Sequence, residues 1–171
     1  MNTEAQKYIE KLHLEKHPEG GYFKEIYRSG EMILPEGLPS RFLKSRNIST
    51  SIYFLLEGKQ VSNFHKLKSD EIWHFYDGSG VRIFVIDSSG DLSIHKLGRN
   101  FEDSEELQIV IKNNHCFAAE LIDKNSFCLV GCTVSPGFDF DDFELGNRNE
   151  LIDCFPQQKK LIERFTKPEV Q

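Results

Sequence analysis

The densest run of chemically active side chains is Phe64-His65-Lys66-Leu67-Lys68-Ser69-Asp70-Glu71-Ile72-Trp73-His74. An imidazole titrates near neutrality. Once a carboxylate fixes its position it can take up or deliver a proton. Lys68-Ser69-Asp70 reads as a tight turn between two strand-like runs. Side chains alternate along a strand, so Asn63, His65 and Leu67 share one face, and Glu71, Trp73 and Phe75 share another. If both faces point inward, an imidazole and a carboxylate meet inside an aromatic cavity. Glu71 would be costly to ionise there unless paired, and His65 is the expected partner. Trp73 would offer a flat apolar face for stacking. The competing reading keeps the same residues structural, as a hydrogen-bonded pair in a closed interior with no room for a ligand.

The elements that must position these residues are mostly strands. Thr3 to Leu14 carries Ala5, Tyr8, Ile9 and Leu12 at helical spacing. His17-Pro18-Glu19-Gly20-Gly21 then breaks the chain, and this pair of glycines reads as a turn entering the first strand. Tyr22 to Arg28 looks extended, and residues 30–47 form a long excursion. Strand-like runs follow at Ser49–Leu56, Val61–Leu67, Glu71–Tyr76, Val81–Ile86, Leu92–Leu97, Leu107–Ile111, Cys116–Ile122 and Phe127–Ser135. Short strands at this spacing, separated by turn residues, imply a sandwich or barrel. Phe138, Phe140 and Phe143 are expected on a strand over the barrel, with Asp139, Asp141, Asp142 and Glu144 facing water. Asn149–Phe155 and Gln157–Phe165 read as two short helices broken at Pro156.

A chain of 171 residues without an internal repeat fits one domain. Its expected parts are an N-terminal helical segment (1–16), a barrel (22–145) and C-terminal helices (147–166). The net charge of -6 argues against a nucleic-acid partner, which needs a clustered basic face. No apolar run has membrane length, so no membrane partner is expected. The four cysteines form no C-x-x-C pair, and with no signal-peptide pattern a cytoplasmic, reduced protein is expected. Cys132 lies in an apolar run, where an inert buried thiol is the favoured reading.

Gly58, His65, Leu67, Glu71 and Gly78 resemble the first cupin motif, with one extra residue before His65 and Leu67 in place of a second His. The second motif should fall at Lys112 to Phe117, where Lys112, Asn114 and Phe117 stand for the expected Pro, Gly and His. Longer strings resemble a family of small cupins end to end. They are His17-Pro18-Glu19-Gly20-Gly21-Tyr22-Phe23, Tyr27-Arg28-Ser29, Ser51-Ile52-Tyr53-Phe54-Leu55-Leu56 and the run from Leu129 to Leu145 that contains Ser135-Pro136-Gly137-Phe138-Asp139-Phe140-Asp141-Asp142-Phe143-Glu144-Leu145. The resemblance implies an all-β jelly-roll, or double-stranded β-helix (cupin) barrel, with short flanking helices. It also implies a homodimer similar to the sugar-nucleotide epimerases of the RmlC type.

By that similarity His65 is the candidate base, with Glu71 beside it, and Tyr53 and Tyr22 are candidate acids. Arg28 is a candidate for gripping an anionic group bidentately. Asn63, Trp73 and Phe117 complete the expected ligand wall around a small polar or sugar-like molecule, possible substrate of an epimerase- or isomerase-type proton transfer. Cupin metal sites use about three His and one Glu, so Leu67 and Phe117 remove two ligands. No metal and no other cofactor is therefore expected. A metal-dependent enzyme using His74 or His115, and a non-catalytic binding or structural cupin, are the alternatives.

Overall fold

The structure is a computed structural model describing residues 3–168. Met1, Asn2, Glu169, Val170 and Gln171, the outermost residues of the expected unit, lie outside the described residues. Helix α1 (Thr3–Lys11) is followed by the short strand β1 (Glu15–Lys16) and by β2 (Tyr22–Arg28). The helix stops earlier than its apolar spacing suggests because His13 adopts a left-handed backbone conformation, φ 54°, which terminates a helix. Leu14 still packs under α1 with Ala5, Leu55, Phe127 and Leu129.

The excursion between β2 and the next long strand contains β3 (Met32–Ile33) paired with β4 (Arg46–Asn47). The long strands are β5 (Thr50–Glu57), β6 (Val61–Leu67), β7 (Asp70–Gly78), β8 (Val81–Ile86), β9 (Leu92–Leu97), β10 (Gln108–Ile111), β11 (Cys116–Leu121) and β12 (Phe127–Ser135). They are followed by β13 (Phe143–Leu145), α2 (Arg148–Cys154) and α3 (Lys159–Arg164). One sheet has the order β1-β2-β5-β12-β7-β10, the other β13-β6-β11-β8-β9. This is the expected jelly-roll of antiparallel strands, with one correction. The two sheets do not close into a hydrogen-bonded barrel, and a lone parallel bridge, Leu97 to Glu106, joins their margins.

The central strands of both sheets are covered on both faces, which is why β11 and β12 read as continuous apolar runs rather than alternating ones. Between the sheets lie Phe54, Leu56, Trp73, Ile83, Val85, Phe117, Ala119 and Val130. The outer face of the second sheet packs Phe64, Phe84, Ile86 and Ala118 under Leu151, Ile162 and Phe165 of the C-terminal segment. Helix α2 starts where Asn147 accepts hydrogen bonds from the backbone N–H groups of Asn149 and Glu150. No helix among the described residues is long and apolar enough to cross a membrane.

The segment Phe138–Glu144 departs from the expected strand. Phe140–Asp142 is a 3-10 turn, with the Asp139 side chain accepting from the Asp141 N–H. Asp142 does not face water. It is buried, and Arg46 grips it with two bonds, Nε–H to Oδ2 at 2.5 Å and Nη2–H to Oδ1 at 2.7 Å. A bidentate guanidinium is the arrangement that makes a buried carboxylate tolerable. It fastens the excursion to the segment carrying the three phenylalanines.

Candidate functional site

Strands β6 and β7 are consecutive in sequence but belong to opposite sheets, so the turn at Lys68-Ser69 turns their inner faces toward one another. His65 and Leu67 of β6 then look across the interior at Glu71 and Trp73 of β7. They line one cavity of about 80 Å³, together with His17, Glu19, Phe23, Phe54 and Cys132. Phe138, Phe140 and Phe143 line it as well, with the Phe143 ring beside His65, centroids 5.5 Å apart. Their rings stack edge to face, with centroids 5.0 Å apart for Phe138–Phe140 and 6.2 Å for Phe140–Phe143.

The carboxylate that touches His65 is Glu19. His65 Nε2 lies 3.2 Å from Glu19 Oε2, and both side chains are buried. The other ring nitrogen, Nδ1, lies 2.8 Å from the Asn63 carbonyl oxygen. A carbonyl only accepts, so Nδ1 carries a proton. The Nε2–Glu19 contact then requires one more proton, held either by the imidazole or by the carboxyl. Burial decides its place: it lowers the His65 pKa and raises that of Glu19, both favouring the neutral pair. Ser62 Oγ donates to Glu19 Oε1 at 2.8 Å. His17 sits at 3.4 Å from Glu19 Oε2, accepts the Glu19 backbone N–H at Nδ1, and is pushed toward its neutral form by burial.

Glu19 reaches this position because the two residues after it are glycines. Gly20 has φ 120°, and a Cβ there would lie 2.1 Å from the Val61 carbonyl oxygen. Gly21 has φ 68°, and its Cβ would meet the Leu55 oxygen at 2.6 Å. Only glycine permits both the conformation and the approach. Asn63 completes the anchor, donating from Nδ2 to the Glu19 carbonyl at 2.5 Å.

Glu71 is buried at the same cavity without a direct cation. The Trp73 N–H and the Cys132 thiol lie close enough to its carboxyl to lower its pKa as donors, but Glu71 Oε2 and Trp73 Nε1 are buried without a hydrogen bond of full geometry. Burial, against the pull of His65, pushes the Glu71 pKa up to about 7. Cys132 lies alongside with its thiol pKa raised well above the ordinary value by burial and by Glu71, which makes it a poor nucleophile.

The structure thus brings His65, Glu71, Trp73 and Arg28 to one cavity and leaves the other expected residues elsewhere. Ile52 and Phe54 take the inward positions of β5, so Tyr53 faces out and meets Tyr76 edge to face at 6.0 Å. Tyr22 likewise yields the inner position to Phe23 and joins Tyr53 under α1. The expectation that either tyrosine serves as a pocket acid is corrected by strand parity. Phe117 packs behind the site, its ring centroid 4.0 Å from His65 and 6.3 Å from Trp73, and Asn63 acts through His65 and Glu19. Arg28 lines the mouth, but its fork is taken: Glu25 accepts from Nε and Nη2 at 3.0 and 2.7 Å, and Asn47 and the Phe138 carbonyl accept from Nη1. The expected direct His65–Glu71 pair is replaced by His65–Glu19.

Residues 6–146 match the family described as Cupin superfamily (DUF985). The chain belongs to the cupin superfamily. It is 33% identical over 149 residues to the uncharacterized protein YML079W of Saccharomyces cerevisiae, covering 82% of this chain and 74% of the yeast protein. It is similar to the crystal structure of protein SO0799 from Shewanella oneidensis, at 37% identity and TM-score 0.87, covering 96% of this chain and 98% of that one. A hypothetical protein from Leishmania major matches at 30% identity and TM-score 0.86, over 96% and 99% of the two chains. Oxalate decarboxylase from Bacillus subtilis shares the fold alone, at 14% identity and TM-score 0.55, over 90% of this chain and 37% of that one.

Many cupins bind a metal through a His-rich set, and the residues of this cupin do not fit one. Leu67 presents an apolar side chain to the cavity, the Phe117 ring covers His65, and His74 faces outward with Nε2 3.3 Å from Thr133 Oγ1. Among the described residues no group of three or more His, Cys, Asp or Glu side chains is set to hold a metal ion.

The raised pKa of Glu71 has a stability consequence. Folding favours its protonated form, so its contribution is fully present below the unfolded value of 4.5 and is lost as pH rises through about 7. Glu71→Gln should therefore gain stability over the parent at pH 8, on the order of 3 kcal/mol. The gain should shrink toward zero near pH 4.5. Urea denaturation of both proteins across that range measures the difference.

Proposed function

We propose that the cavity binds a small polar molecule and that the His65–Glu19 pair moves a proton on or off it. One observation carries the binding reading. An acceptor, Glu71 Oε2, and a donor, Trp73 Nε1–H, are buried near each other at an otherwise aromatic cavity, and neither makes a hydrogen bond of full geometry. Buried polar groups are costly when unsatisfied, and a ligand that supplies both partners recovers that cost. An apolar pocket with a few convergent polar groups is the usual form of a small-molecule site. The proton-transfer reading rests on geometry. Nδ1 of His65 is held by Asn63, and Nε2 shares one proton with a carboxyl of raised pKa. Such a pair acts as a base when Glu19 passes its proton to Nε2, leaving a carboxylate beside the imidazolium to take the ligand's proton, and the reverse transfer returns it, the pattern of isomerase- and epimerase-type chemistry.

The chain is further proposed to form a homodimer. Tyr27, Met32, Leu34, Leu43 and Ile48 are exposed on and around the excursion that flanks the edge of the six-stranded sheet. Apolar clusters and open strand edges of this kind are covered by a second copy in many soluble proteins. The free cysteines, three of them buried, fit a reducing compartment.

Two measurements check these readings. A set of small polyols, amines and hydroxy-carbonyl compounds is screened by quenching of Trp73, the chain's one tryptophan, and binders are then incubated in D₂O. The parent should exchange a carbon-bound proton of a binder with solvent, and His65→Ala should still bind while exchanging about 100-fold more slowly. Equal exchange by the two proteins would remove His65 from the chemistry. Sedimentation at micromolar concentration should give twice the mass of the 171-residue chain, and a species of single-chain mass alone would contradict the dimer.

A further inference from the structure

Resting on the reading of this cavity as a ligand site, we infer that its ligand carries a protonated nitrogen, which Glu71 receives inside a cage of aromatic rings. The charge count along the wall excludes the obvious alternative, an anion. Arg28 is the one Lys or Arg among the residues lining the cavity. Its guanidinium is already bound fork to fork by Glu25 and held by Asn47 and the Phe138 carbonyl. The two imidazoles, His17 and His65, are held neutral by burial. Glu25 is neutralised by Arg28, and Glu19 is occupied by Ser62, His17 and His65. What remains is Glu71, which has no ion-pair partner and whose Oε2 makes no hydrogen bond of full geometry, with only the neutral Trp73 N–H and Cys132 thiol near its carboxyl.

The rings supply the second half of the argument. Phe23, Phe54, Trp73, Phe138, Phe140 and Phe143 all line the same cavity. Their faces carry negative potential and attract a cation that has lost part of its hydration shell. A carboxylate at the floor and rings on the walls together favour an ammonium or amidinium head over a hydroxyl of the same shape, and they repel a carboxylate or phosphate. Glu71, with a pKa of about 7 in a site that lacks a counter-charge, ionises when the cation arrives. The titratable groups facing it are Glu19 and His17 from the segment before β2, His65 from β6 and Cys132 from β12. Glu71, with its pKa pushed up to about 7 and no ion-pair partner, sets the pH dependence, so cation binding should weaken as pH falls below about 7.

The test uses three probes of one shape, cyclopentylammonium, cyclopentanol and cyclopentanecarboxylate, titrated into the intact protein and read by Trp73 fluorescence and by calorimetry. The ammonium should bind about tenfold or more tightly than the alcohol, and the carboxylate weakest of the three. Glu71→Gln, with its melting temperature measured to establish folding, should lose the preference for the ammonium while keeping the alcohol's affinity. Should that variant fail to fold, the parent's own pH dependence decides, because ammonium affinity must fall between about pH 8 and pH 5 while alcohol affinity stays level. Equal or tighter binding of the alcohol, or tightest binding of the carboxylate, overturns the inference and leaves the cavity as a ligand site. Absence of binding by all three removes both.

Discussion

One proton shared between His65 Nε2 and the Glu19 carboxyl is the constraint on which this site depends. Two charged groups so deeply buried would cost several kcal/mol each in desolvation. Held neutral, they cost little more than the ordering of their side chains. The surrounding structure is arranged to keep the proton there. Asn63 takes the Nδ1 hydrogen and also grips the Glu19 backbone. Ser62 donates to the second carboxyl oxygen. The Phe117 ring excludes water from the imidazole's far side. None of this could assemble without the close approach of Gly20 and Gly21 to β6 and β5.

The remaining chemistry follows from the same low-polarity interior. Glu71 lacks the partner that Glu19 has and shows a raised pKa in consequence. Trp73 keeps an N–H beside it that makes no hydrogen bond of full geometry. The fold tolerates this because β7 lies between β12 and β10, so its backbone is paired on both sides from Glu71 to His74 while its inward side chains are left for the cavity. The Arg46–Asp142 pair ties the excursion to the segment around the 3-10 turn that carries Phe138, Phe140 and Phe143. The aromatic wall is thus fixed by an ion pair outside the cavity as well as by the contacts of Phe143 with His65 and His17 inside it.

Much of this was legible from residue order because strand alternation is local. His65 and Leu67, like Glu71 and Trp73, differ by two positions on one strand, and the turn between the pairs is marked by Lys68-Ser69-Asp70. The jelly-roll was legible from the spacing of the turns and from the resemblance to small cupins. Open sheet edges were not, since closure depends on hydrogen bonds between distant strands. Tyr53 and Tyr22 were misplaced because the phase of a strand buried on both faces cannot be read from apolar content: Ile52, Tyr53 and Phe54 are all suited to burial. Glu19 was hidden by its setting in a Pro-Glu-Gly-Gly turn, which gives no hint that the carboxylate points inward. The pair of adjacent glycines was the available clue, because a chain needs them where backbone approaches backbone. Arg28 was read as free because its partner Glu25 sits three residues away on an irregular strand, where β2 shifts register against β5.

The central claim, a neutral His65 sharing its proton with Glu19, is tested most directly by ¹⁵N NMR of the imidazole nitrogens as pH is lowered. The account predicts that Nδ1 is protonated throughout, and that Nε2 keeps the shift of an unprotonated, hydrogen-bonded nitrogen to pH values below the ordinary histidine value of 6.5. Nε2 and Nδ1 both protonated at neutral pH would contradict it.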